Sequence, residues 1–334
     1  MGATVTSGSP PTRCHVMARP RARAATILLL AAALAACDRP AAREARPDNA
    51  AGAPEGGRAP SAGTRSAAGL IVFNSASEEG IAILDPATGQ LERLAEGFSA
   101  EWSWDGTTIS FMRDARIFLV AADGSGEREV GVEPFHFEPP YVVRPVLSPD
   151  GRRVAYSRQG DIEVLDLERP SPVFLVPPGP EDDRMPAWSP SGREIAFVRD
   201  RDIYVVEMDG SGLRNLTKDA AGNLDPDWSP DGVWIAYSST RDGDSRIWRI
   251  RAEGTDRRRL TGDRGADHQE YHPSWSPDGA EVVFERWGDL GMRAADIYAA
   301  TVEAGVVRPL VVAPGFDGQP SWGAGARELQ RRTP

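Results

Sequence analysis

Short, mostly apolar triplets recur along the chain: Ile109-Ser110-Phe111, Val154-Ala155-Tyr156, Ile195-Ala196-Phe197, Ile235-Ala236-Tyr237 and Val282-Val283-Phe284. Large apolar residues hold the first and third places, the period-two face of a half-buried strand. Three residues before each triplet stands a glycine. It closes Trp102-Ser103-Trp104-Asp105-Gly106, Leu147-Ser148-Pro149-Asp150-Gly151, Trp188-Ser189-Pro190-Ser191-Gly192, Trp228-Ser229-Pro230-Asp231-Gly232 and Trp275-Ser276-Pro277-Asp278-Gly279. In four of the five copies a Pro presets φ, and the Gly accepts φ > 0, so the segment predicts a tight turn between two strands. Further strands are predicted at Arg116-Ile117-Phe118, Asp161-Ile162-Glu163, Asp202-Ile203-Tyr204, Arg246-Ile247-Trp248 and Asp296-Ile297-Tyr298. After another turn, such as Asp209-Gly210-Ser211-Gly212, a last strand ends near Leu216-Thr217 or Leu260-Thr261.

The motif glycines at 106, 151, 192, 232 and 279 are 45, 41, 40 and 47 residues apart. A period of about 40–45 residues built from four short strands marks a β-propeller. Upstream, Ile71-Val72-Phe73, Ile81-Ala82-Ile83 and Leu91-Glu92-Arg93-Leu94 match the later strands of a unit that lacks its opening strand. Gln319-Pro320-Ser321-Trp322-Gly323 repeats the opening motif at the other end of the chain. The expected fold is all-β: a six-bladed propeller of four-stranded blades over residues 69–323, in which both ends of the chain share one blade. Closure of that kind removes exposed sheet edges.

The rest of the chain reads as an address, a tether and a tail. Arg19, Arg21 and Arg23 precede a 13-residue apolar run, Ala24 to Ala36, short for a membrane span. Met17 is a candidate true start. The run ends in Leu34-Ala35-Ala36-Cys37, which resembles the bacterial lipoprotein signal and implies cleavage after residue 36 and lipidation of Cys37. Cleavage removes Arg13, Arg19, Arg21 and Arg23, takes the net charge from −11 to −15, and leaves one cysteine, so no internal disulfide forms. Residues 38–68 contain no Val, Ile, Leu, Met or aromatic residue and read as a flexible tether. Residues 324–334 read as a polar tail. An acidic chain without a basic stripe is not a nucleic-acid binder; it reaches the membrane through the lipid anchor.

The repeats resemble those of the TolB-like propeller family (PD40, a WD40-like repeat), whose namesake belongs to the bacterial Tol-Pal system. The likeness covers residues 69–323. It implies a bacterial envelope protein facing the periplasm (inner or outer membrane left open) that binds a protein partner, such as a peptidoglycan-associated lipoprotein, without enzymatic activity. Family members of the TolB type carry an α/β domain ahead of the propeller, where this sequence has the tether.

Conspicuous side chains divide into framework and candidates. Trp102, Trp188, Trp228, Trp275 and Trp322 share one register, one per blade, and read as core between blades. Three residues before each motif start the series runs Ser99, Arg144, Met185, Asp225, His272 and Gln319. Pro follows in five of these six places, at 145, 186, 226, 273 and 320, which fixes the register. A ring that varies from blade to blade at a channel mouth reads as a recognition surface on a repeated scaffold, or as ordinary loop residues. His268, His272 and Asp225 together could ligate a divalent metal. That is the basis of an alternative function, a metal-dependent polysaccharide lyase or hydrolase like the oligogalacturonate lyases, which are also propellers; a ligand sensor is a third. No cofactor is called for. There is no Gly-x-Ser-x-Gly, Walker loop or His-Glu-x-x-His.

Overall fold

The computed structural model describes residues 69–131, 144–169, 171–262, 268–288 and 294–324. The signal, Cys37, the tether, His136 and nearly all of the tail lie outside them. The described residues form six four-stranded antiparallel sheets. Blade 1 takes its first strand from the end of the chain, Asp317–Gly323, followed by Leu70–Ser75, Gly80–Asp85 and Gln90–Ala95. Blade 2 is Phe98–Trp102, Thr108–Arg113, Arg116–Ala121 and Arg128–Glu129; blade 3 is Val146–Leu147, Arg153–Arg158, Asp161–Asp166 and Val173–Phe174. Blade 4 is Asp183–Trp188, Glu194–Arg199, Asp202–Glu207 and Arg214–Asn215; blade 5 is Asn223–Trp228, Trp234–Ser239, Arg246–Arg251 and Arg258–Arg259. Blade 6 is Gln269–Trp275, Glu281–Trp287, Ala295–Thr301 and Val307–Val311. No helix occurs among the described residues. The six-bladed all-β expectation therefore holds, and so does the shared blade, where Ile71 pairs with Trp322.

Each turn is closed by its own side chains. Ser229 Oγ donates to Asp231 Oδ1 at 2.5 Å and accepts from Trp234 N at 2.8 Å. Asp231 Oδ1 also accepts from Val233 N at 2.9 Å, while Gly232 sits at φ 70°, which a Cβ would strain. The core lies between blades. Six apolar clusters occur, each formed by the facing sides of two neighbours. The motif residue at or next to the end of every first strand packs into one of them: Trp102, Leu147, Trp188, Trp228, Trp275 and Trp322 are all at most 8% exposed. The tryptophans are core, as their single register implies.

One feature was not legible in the repeat. In five first strands the ladder slips by a bulge immediately before the motif, as between Leu224 and Asp227 or Tyr271 and Ser274. Pro at 186, 226, 273 and 320 has no N–H to give the ladder, which confines it to such sites. The residue ahead of it turns left-handed: φ is 55° at Met185 and Asp225, 50° at His272 and 51° at Gln319. Ser99, without a following Pro, does the same at 53°. Left-handed backbone at a non-glycine residue costs of order 1 kcal/mol or more and persists only where neighbours hold it.

Candidate functional site

The first strands of the six blades contact one another in a ring and enclose the central channel. The bulge sets which side chains line it. Strict alternation would put the residue one before each motif and the residue three before it on the same face; the bulge separates them into two tiers.

The tier three residues before the motif is largely buried rather than displayed. Ser99, Arg144, Met185 and Asp225 are at most 7% exposed, while His272 and Gln319 keep some accessible surface. Four members join through the second strands. Ser99 Oγ donates to Gln319 Oε1 at 3.1 Å, which also accepts from Asn74 Nδ2 at 2.7 Å. Gln319 N donates to Glu285 Oε2 at 2.8 Å. Glu285 Oε1 lies 3.0 Å from His272 Nδ1, and Asp225 Oδ1 lies 3.3 Å from His272 Nε2. Asp225 Oδ2 accepts from Ser238 Oγ at 2.8 Å. Met185 stands apart, its N–H donating to Ser157 Oγ at 3.0 Å. His268 pairs with Glu270, 3.2 Å away, so the proposed trio of metal ligands reduces to the Asp225–His272 contact.

Asn74, Ser157, Ser238 and Glu285 were missed in the sequence. Their signal is a polar residue placed directly after an apolar triplet, six residues after the motif glycine at Ser157, Ser238 and Glu285. Arg144 was identified but serves the other tier. Its Nε is hydrogen-bonded to the Glu101 carboxylate and its Nη1 donates to Pro226 O across the channel at 3.3 Å.

The tier one residue before the motif is Glu101, Val146, Ala187, Asp227, Ser274 and Ser321. With Arg144 and the motif tryptophans these line a part-open cavity of about 230 Å³. Several also join the blades: Asp227 Oδ2 accepts from Trp275 N at 2.9 Å, Ser274 Oγ from Trp322 N at 3.1 Å, and Ser321 Oγ from Trp102 N at 3.1 Å. Of the six residues first singled out, only Arg144 lines this cavity.

The electrostatics follow from burial. Desolvation disfavours the Arg144 cation, but Glu101 more than offsets it and raises its pKa. Burial likewise opposes the His272 imidazolium, yet Asp225 and Glu285 lift it to about 9. Burial raises Glu285, but His272 more than offsets it and holds the carboxyl below its ordinary range. Asp227 is pushed up to about 7 by burial that Arg144 only partly counters.

The raised His272 pKa fixes a pH dependence. From 6.5 unfolded to about 9 folded, the native state binds the extra proton, so this stabilisation is complete below pH 6.5 and lost as pH rises to 9. At 1.36 kcal/mol per unit it amounts to about 3 kcal/mol. Denaturant unfolding at pH 6 and pH 9.5 should show the wild type losing that much more than His272→Gln; equal losses would refute the assignment.

The family model for the TolB beta propeller domain matches residues 139–326, more than half of the chain. This chain belongs to the TolB beta-propeller domain family. The uncharacterized protein Atu1656 of Agrobacterium fabrum is 37% identical over 78 residues, 23% of this chain and 26% of that protein. The uncharacterized peptidase YuxL of Bacillus subtilis is 37% identical over 62 residues, 18% of this chain and 9% of that protein. The chain thus matches about a quarter or less of these curated relatives' length. Among solved structures, the putative TolB from Agrobacterium tumefaciens superposes with TM-score 0.56 at 23% identity, covering 76% of this chain and 90% of that one. TolB from Acinetobacter baumannii gives 0.64 at 20% identity, covering 77% and 67%. Both likenesses are of fold. In this TolB-like propeller the repeated framework is the motif turn and the inter-blade core, and the variable part is the channel wall.

Proposed function

We propose that this chain is an envelope lipoprotein, anchored through Cys37 and facing the periplasm, whose propeller is a non-enzymatic protein-interaction module. One observation carries the reading. Six equivalent wall positions on a repeated framework hold five different residue types, Glu, Val, Ala, Asp and Ser twice, around a part-open cavity. Uniform selection for packing would repeat one residue, as it does at the motif tryptophans; a wall that differs blade by blade presents a specific surface. Family membership supports a protein as the occupant, with a peptidoglycan-associated lipoprotein as the partner class.

The test is site-specific photocrosslinking of the full-length protein in intact envelopes. A photoreactive residue in place of Trp104, at the cavity, should capture a discrete partner. The same residue in place of Val173, 61% exposed on the outer strand of blade 3, should not. Equal capture from both sites, or none from position 104, would overturn the reading.

A further inference from the structure

The cavity has a charge imbalance and an aromatic wall, and the two together specify an occupant. Its charged lining is Arg144, Glu101 and Asp227, two carboxylates to one guanidinium. Arg144 is committed to Glu101 and to Pro226 O. Asp227 is left over. It keeps accessible surface; the Trp275 N–H, the Ser274 side chain and the charge of Arg144 offset its burial only in part. The remaining wall includes an edge of each motif tryptophan, Trp102, Trp188, Trp228, Trp275 and Trp322, all at most 8% exposed, and the less buried Trp104. The space, about 230 Å³, is several times the roughly 30 Å³ share of one water molecule.

We propose that this cavity receives one basic side chain, Lys or Arg, of the protein partner, with its aliphatic stem against the tryptophans and its charged head on Asp227. The inference rests on the reading of the propeller as an interaction module and names what that module grips. An acidic side chain would meet two carboxylates, and an apolar one would leave Asp227 offset only in part by Arg144. A cation supplies the missing charge, and indole faces attract cations while packing their methylene stems. The raised affinity of Asp227 for a proton reflects the same deficit: burial without full compensation. A net negative charge, −11 for the whole chain and −15 once residues 1–36 are removed, draws a basic partner surface on approach.

The experiment titrates the intact protein with N-acetyl-lysine methylamide and with its uncharged analogue N-acetyl-norleucine methylamide. Indole fluorescence and NMR shifts report binding. The lysine probe should bind at least about tenfold more tightly than the norleucine probe, and Asp227→Asn should abolish that preference. Equal binding of the two probes, or a preference that survives Asp227→Asn, overturns the proposal. Should that variant fail to fold, the wild-type pH profile decides. Arg144 and Glu101 are the other charged groups lining the cavity with Asp227. The lysine-to-norleucine ratio should rise from pH 6 to pH 8 as Asp227 ionises, and a flat ratio overturns the proposal. Crosslinking from position 104 that succeeds while the lysine probe fails removes this inference and leaves the interaction module standing. The reverse pattern removes the module.

Discussion

Arg144→Met is expected to cost about 3–5 kcal/mol of stability, because it breaks a buried ion pair and leaves its partner charge behind. Arg144 is 5% exposed and Glu101 is only partly exposed, so water in the cavity can replace the lost interaction only in part. The Glu101 carboxylate is orphaned and the Pro226 carbonyl loses a donor. The removed guanidinium also ceases to offset Asp227, which is then driven further toward its protonated form. The penalty belongs to the broken pair, not to the missing arginine as such. Glu101→Gln/Arg144→Met should therefore recover part of the loss, since it leaves no uncompensated charge. Denaturant unfolding of both single variants and the double measures this. A double variant as unstable as the sum of the two singles would show that the pair is not coupled and that the wall is held by other contacts.

Trp228→Ala should be equally severe, at about 3–5 kcal/mol, for a different reason. Trp228 is 2% exposed and packs in the cluster that joins blades 4 and 5, with Met185, Ile235, Tyr237 and Trp248. Truncation opens a cavity in a closed ring, where six blades lean on one another and the first strand of blade 1 is supplied by the chain's other end. That closure restricts the collapse that would otherwise refill the space. Phe174→Ala is the control. At 51% exposure on a two-residue outer strand, it should change stability by no more than about 0.5 kcal/mol. Thermal unfolding of the two variants side by side tests the contrast. A small loss for Trp228→Ala would mean that neighbouring blades slide to fill the gap.

How much of this was readable without a fold differs sharply between framework and site. The turn Ser229-Pro230-Asp231-Gly232 was readable because every bond that closes it is local: Ser229, Asp231, Val233 and Trp234 lie within six residues. The shared blade was readable because Trp322 repeats a motif that the first unit lacks. The channel wall was not. Its geometry depends on a bulge that moves the residue three before the motif out of alternation with the residue one before it. Five prolines in register marked that position, but they announced a fixed register and not a slipped ladder. Read from the repeat alone, these positions stand at a channel mouth, as a recognition ring or as ordinary loop residues; in the fold Asp225 is 1% exposed and held by Ser238 from the neighbouring strand.

The sequence by itself determined the blade, its number and its closure. Those rest on interactions a few residues long, repeated often enough that the period shows through, and on hydrophobic alternation that only a strand can satisfy. The tertiary structure alone decided which charges meet. Arg144 reaches Glu101 from 43 residues away and Pro226 from 82; His272 lies between Asp225 and Glu285, contributed by two blades. No local pattern encodes such partners, because ring closure brings them together and burial gives their meeting its energy.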